Sequence, residues 1–133
     1  MSPRNPPNEE CNVDVPLLKQ GPYLIASIQA VLSDDDLVRL RDALAQQVGQ
    51  YRARGVIVDV TVMDVLDSFA SRTLRDVAHI IRLLGAETVI VGIQPEVAVA
   101  MVQLGLTLEG VATALDLEEG LAWLEKKTKH VGK

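Results

Sequence analysis

Three carboxylates, Asp59, Asp64 and Asp67, fall within nine residues of each other, and two hydroxyls, Ser68 and Ser71, follow directly. Closely spaced carboxylates can hold a divalent cation or supply a phosphoacceptor aspartate. A serine beside them can instead take a phosphoryl group itself. The first chemistry asks for more than this stretch offers. A phosphoacceptor aspartate also needs an acidic pair after an early strand and a lysine after a late one. Here the early apolar runs carry no acid pair, and Ile93-Gln94-Pro95 stands where the lysine would be. No metal site and no cofactor is expected.

Other reactive residue types are scattered. Cys11 is the single cysteine, so it forms no internal disulfide, and no His/Cys cluster has metal-ligand spacing. His79 falls within a helical pattern and His130 is remote from it; both read as structural or surface residues. The chain has no Gly-x-Gly-x-x-Gly after a strand, no Gly-x-x-x-x-Gly-Lys-Ser/Thr loop and no Gly-x-Ser-x-Gly elbow. Nothing positions His79 near Ser68 as a catalytic base. Catalysis is not expected.

The elements that must carry these residues can be read from patterning. Val15 to Lys19 and Tyr23 to Gln29 are apolar runs split by Gln20-Gly21-Pro22, which predicts a β-hairpin. Ser33 precedes three aspartates, and Leu37, Leu40, Leu44, Val48 and Tyr51 follow at helical spacing. Val56 to Val60 is a β-branched run suited to a strand buried on both faces. A helix is predicted from Ser68 or Phe69 to Leu84, with Ala70, Leu74, Val77, Ala78, Ile81 and Leu84 inward and Gly85 past its end. Thr88 to Gly92 is the next strand, Pro95 opens a helix to about Leu104, and Val111 to Ala114 is a short last strand. Asp116 with Glu119 predicts a capping box on a final helix bearing Leu117, Leu121 and Leu124.

The order β-β-α-β-α-β-α-β-α implies one α/β domain, with a mostly parallel sheet, right-handed crossovers, an antiparallel opening hairpin and four helices. The expected division is a flexible leader at 1–12, the domain at 13–128 and a tail at 129–133. Composition agrees. A chain of 133 residues with 48% hydrophobic residues supports one globular core. Thirteen basic against 18 acidic residues leave a formal charge of −5, and no basic patch carries aromatics, so nucleic acid is not an expected partner. The leader lacks an apolar signal segment and no apolar run is long enough to span a bilayer, so a cytoplasmic protein without membrane contact is expected.

Within this frame the informative segment runs from a buried strand at Asp59 to a helix start at Asp67-Ser68. Open parallel sheets place functional loops at that edge. Asp67 and Ser68 are both candidate helix caps, since either side-chain oxygen can accept from an orphan N–H. A serine there is also reachable, and a phosphate on it would add about −1.5 to −2 charges next to Asp67 and Asp64. Further along, Pro95 to Leu104 is apolar nearly all round (Val97, Ala98, Val99, Ala100, Met101, Val102, Leu104), which fits either an interface or burial by neighbours.

The segment Asp67-Ser68-Phe69, together with Val-Gly-Ile-Gln-Pro at 91–95, Leu-Gly-Leu at 104–106 and Ala-Thr-Ala-Leu at 112–115, strongly resembles the STAS domains of anti-sigma-factor antagonists. Within that family it is most similar to the small stressosome scaffolds of the RsbS type, over about Val13 to Leu124. The resemblance implies a STAS fold and a serine at 68 that a cognate serine kinase (RsbT-like) phosphorylates and a phosphatase (RsbX-like) restores. It also implies assembly with RsbR-like paralogues, as homo- and hetero-oligomers, into a scaffold that sequesters the kinase until Ser68 is phosphorylated. Asp59, Asp64, Asp67, Phe69 and Ser71 are then switch-loop and docking candidates, Ser71 on the expectation that it is exposed. Phe69 stands where direct antagonists of anti-sigma factors usually carry a small residue. Gln94 stands where relatives often carry Arg, and it is not counted as functional. Two other readings stay open: a direct antagonist of an anti-sigma factor, and a small enzyme using nucleotides or phosphate esters.

Overall fold

The computed structural model describes residues 15–106 and 108–129. The leader, the proposed domain start at residue 13, Cys11, His130 and the rest of the tail lie outside the described residues. Strands β1 (Leu17–Gln20), β2 (Tyr23–Ser27), β3 (Gly55–Asp59), β4 (Glu87–Val91) and β5 (Ala112–Ala114) alternate, after the hairpin, with helices α1 (Asp34–Tyr51), α2 (Ser68–Leu83), α3 (Pro95–Gln103) and α4 (Leu117–Lys129). The sheet order is β1-β2-β3-β4-β5. β1 pairs antiparallel with β2, and the other neighbours are parallel.

Local chemistry explains most boundaries. Gln20 pairs with Tyr23, so Gly21-Pro22 is a two-residue turn. Gly21 has φ +60, and the ring of Pro22 fixes a negative φ after it, the pattern of a type II′ turn. Ser33 caps α1 by accepting from the Asp36 N–H at 3.1 Å, while the Asp36 carboxylate accepts from the Ser33 N–H at 3.2 Å. That reciprocal box satisfies two donors that the helix start would otherwise leave unpaired. Leu37, Leu40, Leu44 and Val48 are buried as their spacing predicts. Tyr51 is not. It is exposed at the helix end, with the Lys19 ammonium 4.9 Å above its ring.

The strands separate two apolar layers. On one face, Leu24, Ala26, Val56, Val58 and Ile90 meet the inward residues of α1 and α2 together with Val97 and Met101 of α3. On the other face Tyr23, Ile25, Ile57, Val89 and Val91 meet α4 through Leu121, Trp123 and Leu124. Helix α4 sits close because Gly120 has no side chain; a Cβ there would lie 2.8 Å from Val91.

Three expectations are corrected. Leu84 is exposed, because α2 ends at Leu83 and the chain turns away at Gly85, φ +90. The Asp116–Glu119 box is displaced: Asp116 accepts from the Glu119 N–H at 2.9 Å, but the Glu119 carboxylate reaches past it to the Leu115 N–H at 2.8 Å. The strand expected over Val56 to Val60 runs instead from Gly55 to Asp59. Among the described residues no helix is long and apolar enough to cross a membrane.

Each of α1, α2 and α3 begins where a parallel strand has just ended, so the helix starts and the β3–α2 and β4–α3 loops share one edge of the sheet. That edge carries the candidate residues.

Candidate functional site

Asp59 is the last residue of β3, and its carboxylate is committed locally. Its Oδ1 accepts from the Thr61 N–H at 2.9 Å and from the Thr61 hydroxyl at 2.6 Å. An aspartate bonded two residues on shapes the backbone into an Asx turn, which here directs the chain out of the sheet. Thr61 is held from the neighbouring loop as well. The Gln94 side-chain amide donates to the Thr61 carbonyl at 2.6 Å, and the Val60 N–H donates to the Val91 carbonyl at 3.0 Å. Gly92, φ +84, packs against the same place. A Cβ on it would collide with the Thr61 hydroxyl and lie 3.1 Å from Asp59 Oδ1.

Beyond this clasp the loop alternates. Met63 and Leu66 are buried pegs, whereas Val62, Asp64 and Val65 are exposed. Asp67 then caps α2, its Oδ1 accepting from the Ala70 N–H at 2.8 Å while its carbonyl accepts from the Ser71 N–H at 2.9 Å. The two capping candidates are thereby resolved. Asp67 is the cap, and Ser68 is the first helical residue. Ser68 is exposed, and its hydroxyl has no hydrogen-bond partner among the described residues.

The five docking candidates stand in different settings. Asp59 and Asp67 are occupied by the loop and the helix start, Asp64 is exposed, and Phe69 is half-buried against the core. Among the described residues no group of three or more His, Cys, Asp or Glu side chains is arranged to hold a metal ion. Ser71 departs from expectation. It is only 4% exposed, and its hydroxyl is buried without a partner. Ser71, Leu74, Ala78 and Ile81 follow the 3-4-3 spacing of one inward stripe, so the residue one turn after Ser68 faces the core.

Helix α3 reaches the core through Val97 and Met101 only. Val99, Val102 and Leu104 are left exposed, Val102 by 74%. Of the two readings of this helix, coverage by neighbours does not hold for that face among the described residues. Thr61, Gly92 and Gln94 are the residues that sequence reasoning missed. Asp-x-Thr at 59–61 is an Asx-turn signal that could have pointed to Thr61. The contact with Gln94 depends on β3 and β4 lying side by side.

A five-stranded mixed sheet with three helices on one face, one on the other and a helix-starting serine beyond the middle strand defines a class. Residues 17–120 match the STAS domain family, and the chain belongs to it. Its relatives narrow the field further. Moorella thermoacetica RsbS, solved with a serine replaced by glutamate, superposes with a TM-score of 0.76 at 32% identity, covering 88% of this chain and 99% of that one. A chain of the stressosome, described as a signal integration and transduction hub, superposes at 0.72 with 32% identity, covering 86% and 99%. The RsbT co-antagonist protein RsbRA of Bacillus subtilis is 31% identical over 83 residues, 62% of this chain. The match spans only 30% of that relative's length. This chain is thus a STAS protein related to the RsbS and RsbR components of stressosomes.

Proposed function

We propose that this protein is a phosphorylation-switched scaffold that holds a serine kinase of the RsbT type while Ser68 is unmodified and releases it once Ser68 is phosphorylated. One observation carries the reading: the Ser68 hydroxyl is exposed and unengaged, while the neighbouring Asp67 does the capping. The hydroxyl is therefore available without loss of a helix-start bond. The loop around it is pinned by Met63, Leu66 and the Thr61–Gln94 bond, so a partner meets a prearranged surface.

A phosphate at this position adds about −1.5 to −2 charges beside Asp64 and Asp67. A partner seated on the unmodified loop would then have to desolvate a dianion or leave. Release needs no refolding. The relatives support the partner class, since three B. subtilis proteins matching this chain are named RsbT co-antagonists. Assembly with RsbR-like paralogues through the exposed α3 face, and reset by an RsbX-like phosphatase, complete the proposal. The protein acts as a binding module and not as a catalyst.

The test is incubation of the full chain with an RsbT-type kinase and ATP, followed by mass-spectrometric mapping. Phosphate on Ser68, absent from Ser68→Ala, is the expected result. Incorporation elsewhere with Ser68 untouched would refute the switch.

A further inference from the structure

Ser68 stands at an acidic edge, with Asp64 and Asp67 in the same loop and Glu96 in the first turn of α3, so a phosphate there needs compensating charge. We propose that Arg72 is the built-in counter-ion of a phosphate on Ser68, closing over it as a pair within the first turns of α2; this rests on the reading of Ser68 as the modified residue.

The geometry follows from helix periodicity. Arg72 lies four residues after Ser68, and residues so spaced are neighbours on the helix surface. Long helical side chains lean toward the N-terminus and cover the turn three to four residues before them. Arg72 is therefore within reach of the turn that bears Ser68 and Phe69. An acid at the earlier position with a base four residues later is also the favourable order for such pairs.

Both members are unengaged. Arg72 is exposed, and the ion pairs among the described residues use Arg39, Arg41 and Arg82. The carboxylates that could compete for it are Asp64, Asp67 and Asp76; none pairs with it, and Asp67 is already bonded to the Ala70 N–H. Arg75, the next base along the helix, is half-buried and seven residues from Ser68. The planar guanidinium can donate two parallel hydrogen bonds to phosphate oxygens. The modified site then presents a phosphate whose charge is partly offset by its own helix.

The experiment installs phosphoserine at 68 during translation, so that no kinase is needed, and follows the phosphate by 31P NMR titration at low salt. Arg72 favours the dianion, so its second ionisation falls at lower pH in the parent than in Arg72→Gln, by about 0.3 pH unit for an exposed pair. Arg72→Lys retains part of the difference. The Arg72 Nε–H resonance moves when the phosphate is present. Superimposable titrations of parent and Arg72→Gln, with an unmoved Nε–H signal, would overturn the pair. Because the phosphate is placed directly, a kinase that ignores Ser68 defeats only the preceding proposal, and matching titrations defeat only this one.

Discussion

The side chain of Gln94 is hydrogen-bonded to the backbone carbonyl of Thr61 at 2.6 Å, joining two loops 33 residues apart in sequence. It ties the exit of β3, which leads to Ser68, to the start of α3, which bears the exposed apolar face. That amide adds a side-chain tie between the loop and the helix to the Val60–Val91 backbone bond.

Removing that amide should loosen the loop without unfolding the domain. Gln94→Ala is expected to lower stability by about 0.5–1.5 kcal/mol, the usual worth of one such bond. Amide exchange should quicken at residues 61–66 and stay unchanged in the buried strands β3 and β4. Hydrogen-exchange mass spectrometry reads both.

Gly92 should tolerate nothing larger. Gly92→Ala meets two penalties, a positive φ and a Cβ driven into the Thr61 hydroxyl. The expected loss is at least about 2 kcal/mol by urea unfolding. Adding Thr61→Gly should recover part of it by removing the clashing hydroxyl; equal losses in the single and double variants would contradict the clash.

Capping and switching should separate at Asp67. Asp67→Ala is expected to cost about 1 kcal/mol through the lost bond to the Ala70 N–H, and Asp67→Asn much less. Neither change removes the Ser68 hydroxyl, so phosphorylation of Asp67→Asn should proceed.

The outward face of α3 should matter for assembly and not for folding. Val99→Glu with Val102→Glu alters two exposed side chains, so the unfolding midpoint should barely move. Sedimentation velocity with a paralogous partner should show a smaller assembly. An unchanged assembly would place the contact elsewhere.

Much of this was legible in the sequence because it is local. The Gly-Pro hairpin, the serine before three aspartates, the β-branched strands and the proline opening α3 each announce themselves within a few residues. The ends of β3, β4 and β5 were one residue off and those of the hairpin strands up to two, since backbone pairing sets them and β-branching does not stop at the last bond. Ser71 misled for a different reason. Its polarity suggests exposure, but the stripe of Leu74, Ala78 and Ile81 turns it inward. The Thr61–Gln94 clasp was hidden because it exists only once β3 and β4 pair in register, Asp59 beside Val91. Gln94 was set aside for lacking a charge, yet its neutral amide still donates to the Thr61 carbonyl.

The most direct test of the switch compares the affinity of an RsbT-type kinase for the full chain carrying serine, alanine or phosphoserine at 68, by calorimetry in one buffer. Serine and Ser68→Ala should bind alike, and phosphoserine at least tenfold more weakly, about 1.4 kcal/mol. Equal affinity for all three forms would contradict the account.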